Sequence, residues 1–381
     1  MDFSWSAQQQ ENYDRVIVFT REHLSHDVRE RERLHLFRIE DWRKCGDFGL
    51  LGLCAPTCWG GLGLSALDSA YSIEAFGRGC PDMGLVFSAA AHLFACVHPI
   101  SVYATTELRD RVLLGLCNGS SIGANAITEP EAGSDVFALR TTARRDGGTY
   151  VLQGSKNYVT NAPVADKFLV YAMTDVTAGY LGVSAFVVDR QSAGLRVGQP
   201  FEKMGLSSSP IAPIYFDEVH VPVENRVGDE GEGAAIFSAS MHWERACLFA
   251  GYIGAMDRQL DQVLEYAKSR RQFRRSIGKH QALAHRIVDM KHRLESCRLL
   301  LYRACWLLDQ GRDATAAISM AKLAVSEAAV ASAIDAIHVH GGIGYMKEAG
   351  IESALRDAIP ATIFSGTSEI QKDLIAKHLG L

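Results

Sequence analysis

Two stretches of this chain hold side chains able to do chemistry. The first is Ala126 to Asp135, A-I-T-E-P-E-A-G-S-D. Ser121 to Ile127 alternates small and apolar residues as a strand does; Pro130 and Gly133 then end the extended run and leave backbone N–H groups free. Such a loop can grip a planar, polar ligand, whereas the plainer reading is a surface turn. The second is Glu244, within M-H-W-E-R-A-C-L-F-A at Met241 to Ala250. Among Trp243, Cys247, Leu248 and Phe249 its carboxyl is desolvated, which raises its pKa toward a range useful for proton transfer. The plainer reading is an exposed helix glutamate paired with basic neighbours. Four shorter stretches accompany these two. They are K-N-Y-V-T-N at Lys156 to Asn161, R-R-Q-F at Arg270 to Phe273, H-G-G-I-G at His340 to Gly344, and F-S-G-T-S-E-I-Q at Phe364 to Gln371. The glycine-rich turn after His340 lets backbone approach a phosphate closely.

The elements that must position these groups follow from periodicity. From Ala7 to about Gly119 the pattern is helical: Tyr13, Val16, Ile17 and Phe19 share one apolar side, and the loop C-W-G-G-L-G-L at Cys58 to Leu64 precedes another helix from Ser65. Between about Ser120 and Asp229 the period changes to two. Thr149 to Gln153, Phe168 to Thr174, Val183 to Val188 and Ile211 to Phe216 read as strands parted by turns such as Asp146-Gly147-Gly148. From Gly231 helical periodicity returns, in long segments near 233 to 269, 280 to 310, 313 to 339 and 368 to 379. The fold class expected is α+β, with an N-terminal helical domain at 1–119, a middle β-barrel-like domain at 120–232 and a C-terminal four-helix bundle at 233–381.

Composition sets outer bounds. A chain of 381 residues, 48% hydrophobic and 22% charged, buries a core large enough to fold without staples. A net charge of -5 argues against a nucleic-acid partner, the cluster Arg270, Arg271, Arg274 and Arg275 being a local exception. No apolar run reaches the roughly 18 to 20 residues that span a bilayer, and the start lacks a signal peptide's basic and apolar regions. A cytoplasmic protein with no membrane partner is expected. The nine cysteines show no C-x-x-C pair and no histidine at zinc spacing, so they read as reduced, buried thiols with no metal.

In this order and at these spacings the motifs resemble the acyl-CoA dehydrogenase superfamily of flavoproteins, over essentially the whole chain. The resemblance implies FAD. It lays Asn125, Ile127, Thr128, Gly133 and Ser134 along the flavin ring, with Tyr158 and Thr160 where the family usually carries Trp-Ile-Thr. It assigns Arg270, Gln272, Phe273 and Gln281 to the adenosine diphosphate half of an FAD held mainly by a neighbouring subunit, so a homodimer or homotetramer is implied. A diphosphate suits a guanidinium fork and an adenine suits an aromatic neighbour. His338, where relatives often have Gln, Gly341, Gly342, Thr367 and Glu369 complete the implied cofactor set.

Dehydrogenating an acyl thioester requires a carboxylate base near the α-carbon and hydrogen bonds to the enolate oxygen. Many relatives carry the base just before the G-T-S of the last motif, where this chain has Ser365. A second branch carries it on the helix that opens the C-terminal bundle, before an Arg, and this matches Glu244 followed by Arg245. The resemblance makes Glu244 the base and Ser134, Arg245 and Ser365 substrate contacts, Ser365 through its backbone N–H with a dispensable side chain. Asp82 to Phe87, Ala89 to Cys96, the 125–135 loop and W-E-R-A-C-L-F-A resemble the subgroup that oxidises L-prolyl groups tethered to a peptidyl carrier protein in secondary-metabolite biosynthesis, with an electron-transfer flavoprotein or O2 as acceptor. The alternatives are a short or branched-chain acyl-CoA dehydrogenase and a flavin monooxygenase of the same fold.

Overall fold

The computed structural model describes residues 4–381; the first three residues of the expected 1–119 segment lie outside it. Seven helices come first: α1 Ala7–His23, α2 Val28–Leu34, α3 Ile39–Phe48, α4 Ala66–Gly79, α5 Met83–His92, α6 His98–Tyr103 and α7 Thr106–Cys117. Their starts are set locally. Ser6 and Gln9 form a reciprocal capping box on α1, and Ser65 and Thr105 accept hydrogen bonds from the first turns of α4 and α7. Between α5 and α6 the helix passes through a π-turn, Leu93–Val97.

Eight strands follow: β1 Gly123–Ala126, β2 Thr142–Asp146, β3 Thr149–Thr160, β4 Lys167–Met173, β5 Val183–Asp189, β6 Leu195–Val197, β7 Ile211–Pro222 and β8 Arg226–Val227. They form one sheet in the order β6-β7-β3-β2-β4-β5-β8, with β1 added parallel to β4. The two halves of the sheet meet through a single pair, Thr142 with Met173. Strands β2, β6 and β8 go beyond the runs legible in the sequence. β2 is T-A-R-R-D, with one buried residue, and lacks the apolar alternation that marks a strand.

The bundle comprises α8 Gly233–Trp243, α9 Ala250–Ser269, α10 Gln281–Asp309, α11 Thr315–His340 and α14 Ser368–His378, with short helices α12 Gly342–Tyr345 and α13 Ser353–Ala358 between the last two. The segment expected as one helix over 233–269 is broken by a second π-turn at Glu244–Leu248, where Glu244 sits. α4 packs against α9 at backbone contact: a Cβ on Gly77 would lie 2.0 Å from the Gly251 carbonyl oxygen, and one on Gly254 2.0 Å from that of Glu74. Only glycine permits this approach, which holds the chain beyond Glu244 rigidly to the N-terminal helices.

Two helical stretches, Met83–Tyr103 and Thr315–His340, are long and apolar enough to cross a membrane, contrary to the sequence reading. They lie 83% and 61% buried inside the protein, as core helices do. All nine cysteines are free thiols; seven are buried, Cys54 is half-buried and Cys58 is exposed, so the expectation of buried thiols fails at Cys58.

Candidate active site

A cleft of about 400 Å³ opens between the sheet, α5, α8 and the segment before α14. It is lined by Asn125, Ile127, Thr128, Gly133, Ser134, Tyr158 and Thr160 from the sheet side, and by Glu244, Arg245 and Ser365 from the bundle side. Residues separated by up to 240 positions are thus gathered around one space, with Phe87, Ala91 and Ala95 forming an apolar wall.

The sheet side is shaped by a bulge. β3 pairs with β7 through Lys156 opposite Ile214 and Val159 opposite Ala212, so β3 carries one extra residue there. Tyr158 takes a left-handed φ of 53° in the bulge and stands 61% exposed. Bulges of this kind re-aim side chains next to sites. The bulge also binds the loop, since Asn157 N donates to Thr128 O at 2.7 Å.

Beneath the loop lies a pair that sequence reasoning missed. Lys156, fully buried, donates from Nζ to Glu129 Oε1 at 2.7 Å and to Ile127 O at 3.0 Å. Glu129, 5% exposed, also accepts from the backbone N–H groups of Arg140 and Thr141 at 2.7 and 3.0 Å. Burial lowers the Lys156 pKa to about 8 despite the attraction of Glu129. Burial would raise Glu129, but the Lys156 charge and the hydrogen bonds outweigh it and hold this carboxyl below its usual range. Lys156 lay inside a quoted motif; nothing local marked it as the partner of a residue 27 positions away.

On the bundle side Glu244 is 8% exposed. Its Oε1 accepts a hydrogen bond from the Ser365 hydroxyl, so the expectation that the Ser365 side chain is dispensable does not fit the geometry. Burial raises the Glu244 pKa, while the Ser365 hydrogen bond and the Arg245 charge pull it down. Arg245 donates from Nε to Ser365 O at 2.7 Å, tying the helix to the turn before α14. Ser365 and Gly366 are consecutive left-handed residues, with φ of 55° and 89°. The preceding Phe364 ring is fixed among Phe87, Phe249 and Tyr252 at centroid distances of 4.6, 5.4 and 6.3 Å. Trp243 stacks on His98 at 4.2 Å, and burial lowers the pKa of that imidazole to about 4.

The remaining expected cofactor residues do not line this cleft. Arg270, Gln272, Phe273, Gln281, His338, Gly341 and Gly342 gather at the end of the bundle where α9 and α11 finish and α10 begins. Arg271–Gln272 and Arg275–Ser276 pair as a small hairpin whose tip presents Phe273, 88% exposed. Tyr266 stacks on His340 at 4.3 Å and joins the ends of α9 and α11. Arg286 donates to His338 Nδ1 at 3.0 Å, and a Cβ on Gly341 or Gly342 would meet nothing within 4 Å. Thr367 caps α14, accepting from Ile370 N at 3.3 Å, and Glu369 is exposed in its first turn.

The cleft has the chemistry of a site for a planar, polar group. Two buried amide oxygens, Asn125 Oδ1 and Asn161 Oδ1, have no hydrogen-bond partner within the protein, and both residues line the cleft. A buried acceptor without a donor costs free energy unless a ligand supplies one. Gly133, where a Cβ would meet nothing within 4 Å, leaves the loop open on that side.

Comparison with known proteins places this architecture. The family models for the N-terminal, middle and C-terminal domains of acyl-CoA dehydrogenase match residues 6–120, 124–219 and 231–380. An L-prolyl-[peptidyl-carrier protein] dehydrogenase of Pseudomonas fluorescens is 50% identical, with 100% of both chains covered. A protein of the same name from a Serratia species is 46% identical, over 100% of this chain and 99% of that one. A solved structure of PigA with FAD and proline superposes with a TM-score of 0.98 at 45% identity, covering 100% of both chains. With all three domain models matched in order along the fold just described, the chain belongs to the acyl-CoA dehydrogenase family.

Proposed function

We propose that this protein is an FAD-dependent oxidase or dehydrogenase of an L-prolyl thioester tethered to a peptidyl carrier protein, forming a pyrroline or pyrrole-level product in secondary-metabolite biosynthesis. The full-length likeness to two L-prolyl-[peptidyl-carrier protein] dehydrogenases supports the substrate. The observation that carries the chemistry is Glu244: among the described residues it is the only carboxylate lining the cleft, and it is buried with a raised pKa. A carboxylate so tuned takes a weakly acidic proton near neutral pH better than an exposed one.

The cleft residues fit FAD, whose flavin, when bound, accepts a hydride equivalent and so supplies the two-electron oxidation. Asn125, Ile127, Thr128, Gly133, Ser134, Tyr158 and Thr160 hold its ring. A neighbouring copy contributes Arg270, Gln272, Phe273, Gln281, His338, Gly341 and Gly342 to the other half, with Thr367 and Glu369 at the start of α14 completing the set. The exposed Phe273 tip supports this assignment, because an 88% exposed aromatic flanked by arginines has surface to give to a partner. The working protein is then a homodimer or homotetramer, and we place it in the cytoplasm.

Glu244 removes the proton beside the thioester carbonyl, and the backbone N–H of Ser365 steadies the carbonyl oxygen as charge develops on it. Arg245 keeps the Ser365 turn in place through its carbonyl, and Ser134 contacts the substrate from the loop. The Phe87, Ala91 and Ala95 wall excludes water, which strengthens each of these interactions. The final electron acceptor would be an electron-transfer flavoprotein or O2. The test is anaerobic flavin bleaching in the holoenzyme by prolyl-loaded carrier protein and by prolyl-CoA, with mass spectrometry of the products. Much faster bleaching by the carrier-protein substrate supports the reading; equal rates favour a short or branched-chain acyl-CoA dehydrogenase, and bleaching that requires NAD(P)H favours a monooxygenase.

A further inference from the structure

Ser365 occupies a left-handed backbone position, φ 55°, directly followed by Gly366 at φ 89°. A non-glycine residue is strained there, and glycine is not. The strain is held by the surroundings: Arg245 Nε and Gln371 Nε2 both donate to Ser365 O, at 2.7 and 3.3 Å, and Gln371 Nε2 also reaches Gly366 O at 3.1 Å. What serine adds over glycine is Oγ, and the hydrogen bond Oγ makes is to Glu244 Oε1, across 121 positions of chain.

We propose that the Ser365 hydroxyl is a positioning group for the base: it aims the Glu244 carboxylate into the cleft and stabilises its negative charge. The role of Glu244 as base is the one proposed above. One oxygen is engaged by Ser365, which leaves the other free to meet the substrate proton.

Arg245 also favours the ionised form through its charge, but among the described residues no other group facing Glu244 is hydrogen-bonded to its carboxylate. On its own helix Arg245 spends Nε on the Ser365 carbonyl, and burial lowers the His242 pKa, which keeps that imidazole neutral near pH 7. From the π-turn opposite, Cys96 is a thiol whose pKa burial raises, with Glu244 adding to the rise. Tyr171 on β4 is likewise held protonated by burial. His98 stacks on Trp243 as a neutral ring. On α11, Lys322 is fully buried over the Phe249 ring, with its Nζ unpaired.

Ser365→Ala and Ser365→Gly both delete the hydroxyl and keep the backbone N–H, but they have opposite backbone preferences at positive φ. In the FAD-loaded protein the Glu244 carboxyl is titrated by infrared difference spectroscopy, its band assigned by loss in Glu244→Gln. The expected result is that protonation moves to higher pH in both variants. With substrate, flavin reduction on the acid side should fall roughly ten-fold more than on the alkaline plateau, as befits a lost hydrogen bond to a charge. A Glu244 titration that coincides with wild type in either variant overturns the proposal. A shift in the alanine variant alone assigns the effect to backbone strain and overturns it too. The infrared arm needs no substrate, so failure of prolyl-carrier protein to bleach the wild-type flavin counts against the proposed function and leaves the Ser365 test standing.

Discussion

Lys156→Met tests whether a buried ion pair holds the 126–135 loop in shape. The methionine keeps the length and apolar stem of lysine but removes Nζ, and with it the bonds to Glu129 at 2.7 Å and Ile127 O at 3.0 Å. Glu129 then remains 5% exposed with only the N–H donors of Arg140 and Thr141. Removing one partner of a buried pair costs about 3 to 5 kcal/mol. The two remaining donors place this case near 3 kcal/mol, or roughly 4 °C in Tm for a chain of this size. The loop also loses its tie at Ile127, so FAD retention should fall although neither Lys156 nor Glu129 lines the cleft. The double variant Glu129→Gln with Lys156→Met buries no charge, although its single amide oxygen replaces only one of the two carboxylate oxygens that accept from Arg140 and Thr141. Removing the buried charge outweighs the one lost acceptor, so it should recover about 1 kcal/mol of the loss. The pH signs follow from the shifts. Glu129 is depressed, so its stabilisation is full above the ordinary carboxylate range and is lost as pH falls through it and below. Lys156 is lowered from 10.5 to about 8, so by itself it makes stability rise between those values as pH increases. Thermal melts and FAD content of the two variants decide the matter. A Lys156→Met protein that melts within about 1 °C of wild type with full FAD would refute the clamp, and so would a double variant less stable than the single.

Glu244→Gln keeps size and hydrogen bonding but cannot accept a proton, so flavin reduction should slow by roughly 10² to 10⁴ with FAD still bound. Wild-type-rate reduction in an anaerobic single turnover would remove Glu244 from the mechanism. In the wild type the rate should be lost as pH falls through a value above the ordinary carboxylate range, because the Glu244 pKa is raised and only the ionised form is a base; a limb at the ordinary glutamate position in the pH–rate profile would contradict this. Arg270→Ala should weaken FAD retention by roughly 1.5 to 3 kcal/mol if it meets a diphosphate across a subunit boundary. Unchanged FAD affinity by equilibrium dialysis would move the adenosine site elsewhere.

The chain order of helix, sheet and helix was legible because periods of 3.6 and 2 are local properties of the sequence, and the long strands and bundle helices fall close to where alternation and apolar faces placed them. The loop at 126–135, the basic stretch before Phe273 and Glu244 in its apolar surroundings were legible for the same reason: each is a property of neighbours within ten residues. What tertiary structure decided are the contacts between distant segments. The pairing of Lys156 with Glu129 exists only once β3 lies under the loop, and the hydrogen bond from Ser365 to Glu244 only once the segment before α14 folds back onto α8. The bulge that turns Tyr158 outward is a mismatch in length between β3 and β7, which neither strand encodes by itself. The π-turn at Glu244 passes as ordinary helix in any periodicity count, because one extra residue in a turn shifts the pattern less than the scatter of apolar positions does. Sequence alone could therefore propose Glu244 as the base; only the packed protein brings the Ser365 hydroxyl to its carboxylate.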